Sequence, residues 1–286
     1  EEKNSEFIAS ESVTYFADVW RRLTKNKLTV LGMIILLIVI IFAIFGPIIS
    51  GYTYDGQDLT MRNAAPCAEH FFGTDKFGRD ILSRVMVGAG DTLLIALGTV
   101  AIGTVVGTLV GALTGWYGGW VDEVLMRLND ALASFPSILI LLVLVSLLGG
   151  GREHMTLALG IVFIPSYARI VRSEFARART QNYVHSAELM GASTARILFV
   201  HILPNIWHTL VSAITIGFNN AVLAEAAMSY LSIGVSPDEA SLGYMLSESQ
   251  SMLGSAPWYA LGAGAVIVLL ILGVSLIGEG LQRGEN

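Results

Sequence analysis

Leu28–Ile49 reads LTVLGMIILLIVIIFAIFGPII, a run without a single charge and dense in Ile and Leu. A helix needs about 20 mainly apolar residues to cross the hydrocarbon core of a bilayer, so this run is long enough to span one. It begins well inside the chain and lacks the small-residue cleavage pattern of a signal peptide, so it reads as a permanent span. The sequence opens on Glu1 without a Met, which points to a few preceding residues. Further uncharged runs are Thr92–Val121, Ala131–Gly151, Ile206–Ala224 and Pro257–Ile277. A shorter one, Met155–Ala168, lies between Arg152 and Arg169. It reaches across if a bundle buries it or if its flanking arginines snorkel.

The chain therefore reads as an all-α polytopic membrane protein with six transmembrane helices. Residues 1–27 form an N-terminal cytoplasmic segment, 28–49 the first span and 50–91 an external loop. Residues 92–286 hold five further spans and a cytoplasmic loop over 172–205. Val13, Phe16, Val19, Trp20 and Leu23 recur at helical spacing beside Arg21, Arg22, Lys25 and Lys27, the pattern of an interfacial helix over Val13–Lys27.

Composition agrees. Of 286 residues 53% are hydrophobic and only 14% charged, where a soluble domain carries roughly a quarter. Mean hydropathy is +0.64. So few polar residues cannot cover a soluble core that large. A net charge of −6 argues against nucleic acid as a partner, since such proteins show a basic domain or patch. The single cysteine, Cys67, excludes a disulfide framework and a Cys-cluster metal site.

Six spans put both termini on one side, and Lys/Arg placement says which. The N-terminal segment holds Lys3, Arg21, Arg22, Lys25 and Lys27, and the loop between spans four and five holds Arg169, Arg172, Arg177, Arg179 and Arg196. The opposite loops carry Arg62, Lys76, Arg79, Arg84 and Arg152 against ten acids, with no base in Ser232–Ala256. Both termini are thus expected in the cytoplasm, the chain being multi-pass. The outer face is acidic and the loop between spans four and five is basic.

Gly103, Gly107, Gly111 and Gly115 follow one another at i+4 steps in span two and form one smooth face for close helix packing. No energy source is visible. A Walker A loop needs Gly-Lys before Ser or Thr, and none of Lys3, Lys25, Lys27 and Lys76 follows a glycine. The histidines show no HExxH spacing, and neither a metal nor a cofactor is expected in this chain. Candidate polar residues for a path are Asp130 in span three and Asn219, Asn220 and Glu225 in span five. Asp130 stands three residues after Arg127, which allows a pair on one helical face.

The loop between spans four and five reads Tyr183-Val-His-Ser-Ala-Glu-Leu-Met-Gly191-Ala-Ser-Thr-Ala-Arg196-Ile-Leu-Phe-Val-His201-Ile-Leu-Pro204-Asn205. A polar helical stretch, Glu174–Met190, breaks at Gly191, a second short helix follows, and Pro204 marks entry to the next span. Physically this is a rigid helix–turn–helix presented to the cytoplasm.

These residues resemble the EAA loop of ABC-importer permeases. The pattern is Glu-Ala-Ala, three residues, Gly, then a stretch ending in Leu-Pro. Ala187, Gly191, Leu203 and Pro204 fall on it, whereas the Glu and first Ala are His185 and Ser186. His70-Phe-Phe-Gly73-Thr74-Asp75-Lys-Phe-Gly78-Arg79-Asp80-Ile-Leu-Ser83-Arg84 is similar to the segment before span two in the C-type dipeptide and oligopeptide permeases. So are Gly118-Gly119-Trp120-Val-Asp122, Arg127 with Asp130 and Pro136, Leu223-Ala-Glu225-Ala-Ala-Met-Ser229 and Gly278-Glu279-Gly280-Leu281. The ordered blocks cover roughly residues 70–283. One stretch departs: a Pro-Pro … Ser-Trp-Gly pattern stands here as Ser236-Pro237-Asp238-Glu239-Ala-Ser241-Leu242-Gly243.

The resemblance implies a type I ABC-importer permease fold. It implies a second homologous permease subunit, two ABC ATPase subunits that carry ATP and Mg, and an extracytoplasmic substrate-binding protein. Contacts that couple ATPase to permease would come from Ser186, Ala187, Glu188, Gly191, Ala192 and Arg196. Di- or oligopeptides are the implied substrates, with nickel or a metal chelate as an alternative on the same machinery. A reading of another class, an ion-coupled carrier or channel, would need paired ionisable groups or interrupted helices in mid-membrane.

Overall fold

The computed structural model describes residues 26–234 and 239–283, so the interfacial helix expected over Val13–Lys27 falls, but for its last two residues, outside them. Every regular element among the described residues is a helix, apart from an isolated bridge between Thr74 and Asp80. Among the described residues, five helices are long and apolar enough to cross a membrane, and a bent pair makes a sixth crossing if taken as one span.

Helix α1, Lys27–Ile49, is capped by Asn26, whose side chain accepts from the Leu28 N–H at 3.0 Å. Helix α2, Ile81–Tyr117, is about 55 Å long at 1.5 Å per residue, and Asp80 caps it through the Ser83 N–H at 2.7 Å. It begins before the Thr92 expected from the uncharged run, and the external loop shortens accordingly. Arg84 and Asp91 had interrupted that run. Both are paired in the fold, Arg84 with Asp75 and Glu248 and Asp91 with Arg152, so they do not break the helix. Gly118, at φ +62°, ends α2 and lets the chain turn into α3, Gly119–Ala133.

Pro136 then caps α4, Ser137–Leu148, and the α3–α4 bend is 89°. The third uncharged run is thus two helices, because a proline lacks the N–H that would continue the ladder. Helix α5, Arg152–Ala178, is nearly twice the apolar run that signalled it and tolerates Pro165 near its middle. Helix α6, Asn182–Leu189, is separate from α5, so the stretch Glu174–Met190 breaks at Arg179–Gln181 as well as at Gly191. Residues Thr194–Ile206 wind through a helical turn, a wide π turn and a tight 3-10 turn around Pro204. Helix α7 is Trp207–Tyr230, α8 Leu242–Ser249 and α9 Pro257–Arg283.

Helices α2 and α5 form the spine. All four glycines of the i+4 series face α5: a Cβ on Gly107 would stand 2.5 Å from the Tyr167 Cβ, and one on Gly111 2.6 Å from the Ala168 carbonyl oxygen. One on Gly115 would meet the Arg172 carbonyl at 2.6 Å. A second close crossing joins α1 to α9, where Gly32 lies against Leu276 and the Gly273 carbonyl. Three buried clusters sit along the bundle among the described residues. The largest joins α1, α2, α5, α7, α8 and α9. One lies at the end that carries the 231–256 segment, and one lies under the arginine-rich loop.

Candidate functional site

At the arginine-rich end, α6 stops at a turn built for glycine. Gly191 has φ +79°, its N–H bonds the Glu188 carbonyl at 2.9 Å, and the Ala192 N–H bonds the Ala187 carbonyl at 3.0 Å. This paired closure satisfies carbonyls at the helix end and requires the left-handed conformation. Ser193 starts the next turn, its hydroxyl accepting from the Arg196 N–H at 3.4 Å. Ser186, Glu188, Gly191 and Arg196 are exposed, Ala192 is half-buried and Ala187 is buried. His185, at the position of the resembling pattern's Glu, faces Glu188 with Nδ1 3.4 Å from Oε2.

The tip of this element is apolar and solvent-facing: Leu189 is 89% exposed and Met190 80%. Its underside is sewn into the bundle. Val184, Ala187, Ile197, Leu198 and Ile202 share one buried cluster with Ala112 and Trp116 of α2 and Val171 and Phe175 of α5. Arg179 lies over the Trp116 ring, and Arg172 of α5 makes a two-pronged contact with Asp122 of α3, one prong 2.6 Å. The tip is therefore joined through this cluster to the glycine-packed α2–α5 pair.

The opposite end holds a feature that sequence reading did not assemble. The Gly73–Arg84 segment folds as a clasp over α8. Asp75 accepts from the N–H groups of Phe77 and Arg79 and pairs with the Arg79 Nε at 2.6 Å. Glu248 of α8 receives Arg79 Nη2 at 3.3 Å, Arg84 Nη2 at 3.5 Å, Lys76 Nζ at 3.3 Å and the Tyr259 hydroxyl at 2.8 Å. Asp75, Arg79, Arg84 and Glu248 are all buried. Asp80 caps α2 with one oxygen and meets His70 Nδ1 at 2.9 Å with the other. Gly78, at φ +75°, lies against the Asp58 carbonyl, where a Cβ would overlap backbone. Asp58 is fixed by Thr60, whose hydroxyl and N–H hold its carboxyl below the ordinary value. The signal was present as charges packed into an otherwise apolar chain, but its acidic partner lies far along the sequence.

The expected path residues separate. Glu225 is buried and accepts from Thr92 at 2.8 Å, Ser229 at 2.8 Å and Ser241 at 3.2 Å, tying α7 to α2 and to the start of α8. Asn219 donates to the Ser275 hydroxyl of α9 at 2.8 Å, and Asn220 is exposed. The pair expected between Arg127 and Asp130 does not form. Arg127 meets Glu123 one turn back at 3.6 Å, and Asp130 meets Arg169 of α5 at 3.8 Å. Near the Arg152 end of α5, an open cavity of about 440 Å³ is lined by Asp91, Arg152, Glu153 and Glu239 among others.

A family model of binding-protein-dependent transport system inner membrane components matches residues 107–284, and one of the N-terminal transmembrane domain of oligopeptide transport permease C matches 14–66. The chain is 36% identical to the dipeptide transport system permease protein DppC of Alkalihalophilus pseudofirmus, over 95% of this chain and 89% of that one. It is 34% identical to the oligopeptide transport system permease protein OppC of Bacillus subtilis, over 98% and 92%. It is 35% identical to the glutathione transport system permease protein GsiD of Escherichia coli, over 94% and 89%. Among solved structures, the inward-facing MetNI methionine ABC transporter shares the fold at TM-score 0.59 and 20% identity, over 71% of this chain and 96% of that one.

Proposed function

The chain belongs to the family of binding-protein-dependent transport system inner membrane components, and from this we propose that it forms one half of the membrane path of an ATP-driven importer. A second, homologous permease supplies the other half, two ATPase subunits with ATP and Mg dock at the arginine-rich end, and a binding protein delivers substrate at the clasp end. The arginine-rich end then faces the cytoplasm with both termini, in line with the loop charges. Di- or oligopeptides are the proposed cargo, on the strength of what the named relatives are called.

The observation that carries this reading is the Gly191 turn, with Leu189 and Met190 projecting from an element whose underside is locked into α2 and α5. An apolar tip of this kind fits a groove on another protein. Closure of the ATPases on ATP drags the tip, the buried underside transmits the movement, and the α2–α5 lever rocks as a unit. Differential affinity of the tip for the two ATPase states is what shifts the equilibrium between inward- and outward-open forms.

The test is a substitution at Gly191. A Cβ there meets nothing within 4 Å in the chain itself, so within the subunit the effect is one of backbone conformation. Valine resists the left-handed region, at a cost of about 1–3 kcal/mol, whereas asparagine tolerates it. In the assembled transporter, Gly191→Val is expected to lower substrate-stimulated ATPase activity at least tenfold, and Gly191→Asn to retain most of it. Equal activity of both variants and the unsubstituted complex would remove the turn from the mechanism.

A further inference from the structure

Helix α3 carries two exposed stripes side by side. Glu123, Arg127 and Asp130 recur at i, i+4 and i+7, and Trp120, Val124 and Leu128 at i, i+4 and i+8. The charged stripe is open, with side chains 66%, 80% and 66% exposed, and Arg169 of α5, 53% exposed, extends it beside Asp130. Depth is fixed by α5. Asn129 donates to the Pro165 carbonyl at 3.2 Å, which sets this part of α3 level with the middle of α5, itself long and apolar enough to cross the membrane. Asp122, at the other end of α3, pairs with Arg172 further down α5. The charges therefore climb from the arginine-rich end toward mid-membrane.

Charged side chains at that depth are costly against lipid and are found facing water-filled cavities or one another. Glu123–Arg127 and Asp130–Arg169 are long contacts, 3.6 and 3.8 Å, and too exposed to be closed pairs. The apolar stripe alongside is what a helix at the boundary between a water-filled path and an apolar wall presents. Along the ladder the sign alternates, acid then base twice, so the surface carries charge of both signs and no net field. A solute with an ammonium and a carboxylate finds a partner for each group, whereas a simple cation meets as many repulsions as attractions.

We propose that Glu123, Arg127, Asp130 and Arg169 line the inner half of the translocation path and are the contacts of a zwitterionic solute on its way to the cytoplasm. This rests on the permease reading above and extends it from a subunit to a surface and a class of cargo.

The experiment uses the complete transporter in inside-out vesicles, with Cys67→Ser as background and single Arg127→Cys, Asp130→Cys and Trp120→Cys variants. A membrane-impermeant cationic methanethiosulfonate (the trimethylammonium ethyl reagent) and its anionic sulfonate counterpart are applied from the cytoplasmic side. The expected result is that Arg127→Cys and Asp130→Cys react in the resting complex. Their rates should fall at least tenfold after trapping with ATP and vanadate, when the path closes inward, while Trp120→Cys changes less than twofold. With each rate divided by that reagent's rate toward a free thiol in solution, the two reagents should react at Asp130→Cys within tenfold of each other. Three results would each overturn the proposal: no reaction at rest, because a second subunit covers the stripe; no change on trapping, because α3 lies on the membrane surface; or a preference above tenfold for one sign of reagent. ATP-driven release of a labelled dipeptide, enclosed in the lumen together with the binding protein, is scored for the unsubstituted complex in the same preparation. Its absence would overturn the permease reading, whereas normal release with any of those three labelling results overturns the ladder alone.

Discussion

Replacing Glu248 by Gln is expected to lower the stability of the folded chain by about 3–5 kcal/mol, the range measured when one partner of a buried ion pair is removed. Glu248 is the shared acceptor of Arg79, Arg84, Lys76 and Tyr259. Without its charge, two buried guanidinium groups are left with Asp75 alone, and the Arg84 Nε already has no hydrogen-bond partner among the described residues. Such a loss removes the contacts that tie the Gly73–Arg84 segment to α8 through Glu248. Thermal unfolding of the purified protein in detergent measures it directly. As a control, Arg177→Gln removes an exposed contact with Glu174, the guanidinium being 73% exposed, and is expected to cost less than about 1 kcal/mol. Equal effects of the two substitutions would show that the clasp contributes no more than a surface pair.

Gly111→Leu is the second large effect. Its Cβ alone would stand 2.6 Å from the Ala168 carbonyl, 2.7 Å from the Val171 Cβ and 2.9 Å from the Arg172 nitrogen. Two of those three atoms are backbone, so no rotamer change relieves the clash and α2 and α5 have to separate. Overpacking usually costs about 1–3 kcal/mol, and a site blocked by backbone belongs at the upper end. The separation also disconnects the lever under the Gly191 turn, so coupling should fail along with stability. Gly254→Ala, where a Cβ meets nothing within 4 Å and φ is not positive, is the expected neutral control. Unaltered unfolding temperature for Gly111→Leu would mean that the helices are not in close contact there.

Much of the bundle was legible because an uncharged run of about 20 residues has few fates other than a membrane span. Where reading stopped short, charge was the cause. Arg84 and Asp91 hid the first turns of α2, and Arg152, Arg169 and Arg172 shortened the apparent α5, although each has a partner in the fold. Counting uncharged residues cannot distinguish a paired charge from a helix boundary. The Gly191 turn was legible because the left-handed conformation selects glycine. The pairing of Arg127 with Asp130 failed for the opposite reason. Helical spacing permits several partners, and Glu123 on one side and Arg169 on a neighbouring helix took the two residues instead. The clasp was the least legible element, since Arg79 meets a carboxylate 169 positions away, a distance no local pattern spans.

The loop charges gain meaning from the same comparison. Sequence alone gave an acidic outer face, yet Asp75, Asp80 and Glu248 are buried within the clasp and α2 cap. The acids left to meet another protein at that end are fewer than the count suggests. On the opposite end, Arg172 and Arg177 of α5 are engaged with Asp122 and Glu174, while Arg169 makes only a long, exposed contact with Asp130. Under the proposed docking, the contact at that end is the apolar tip at Leu189 and Met190 rather than a free basic patch.

The most direct measurement is uptake into proteoliposomes that hold the chain with its neighbouring permease and ATPase subunits, with binding protein outside and a labelled dipeptide as the probe. Uptake is expected only when ATP is enclosed with the ATPases and the binding protein is present, and none from an imposed proton or sodium gradient. Uptake driven by such a gradient with no ATPase in the vesicle would contradict it.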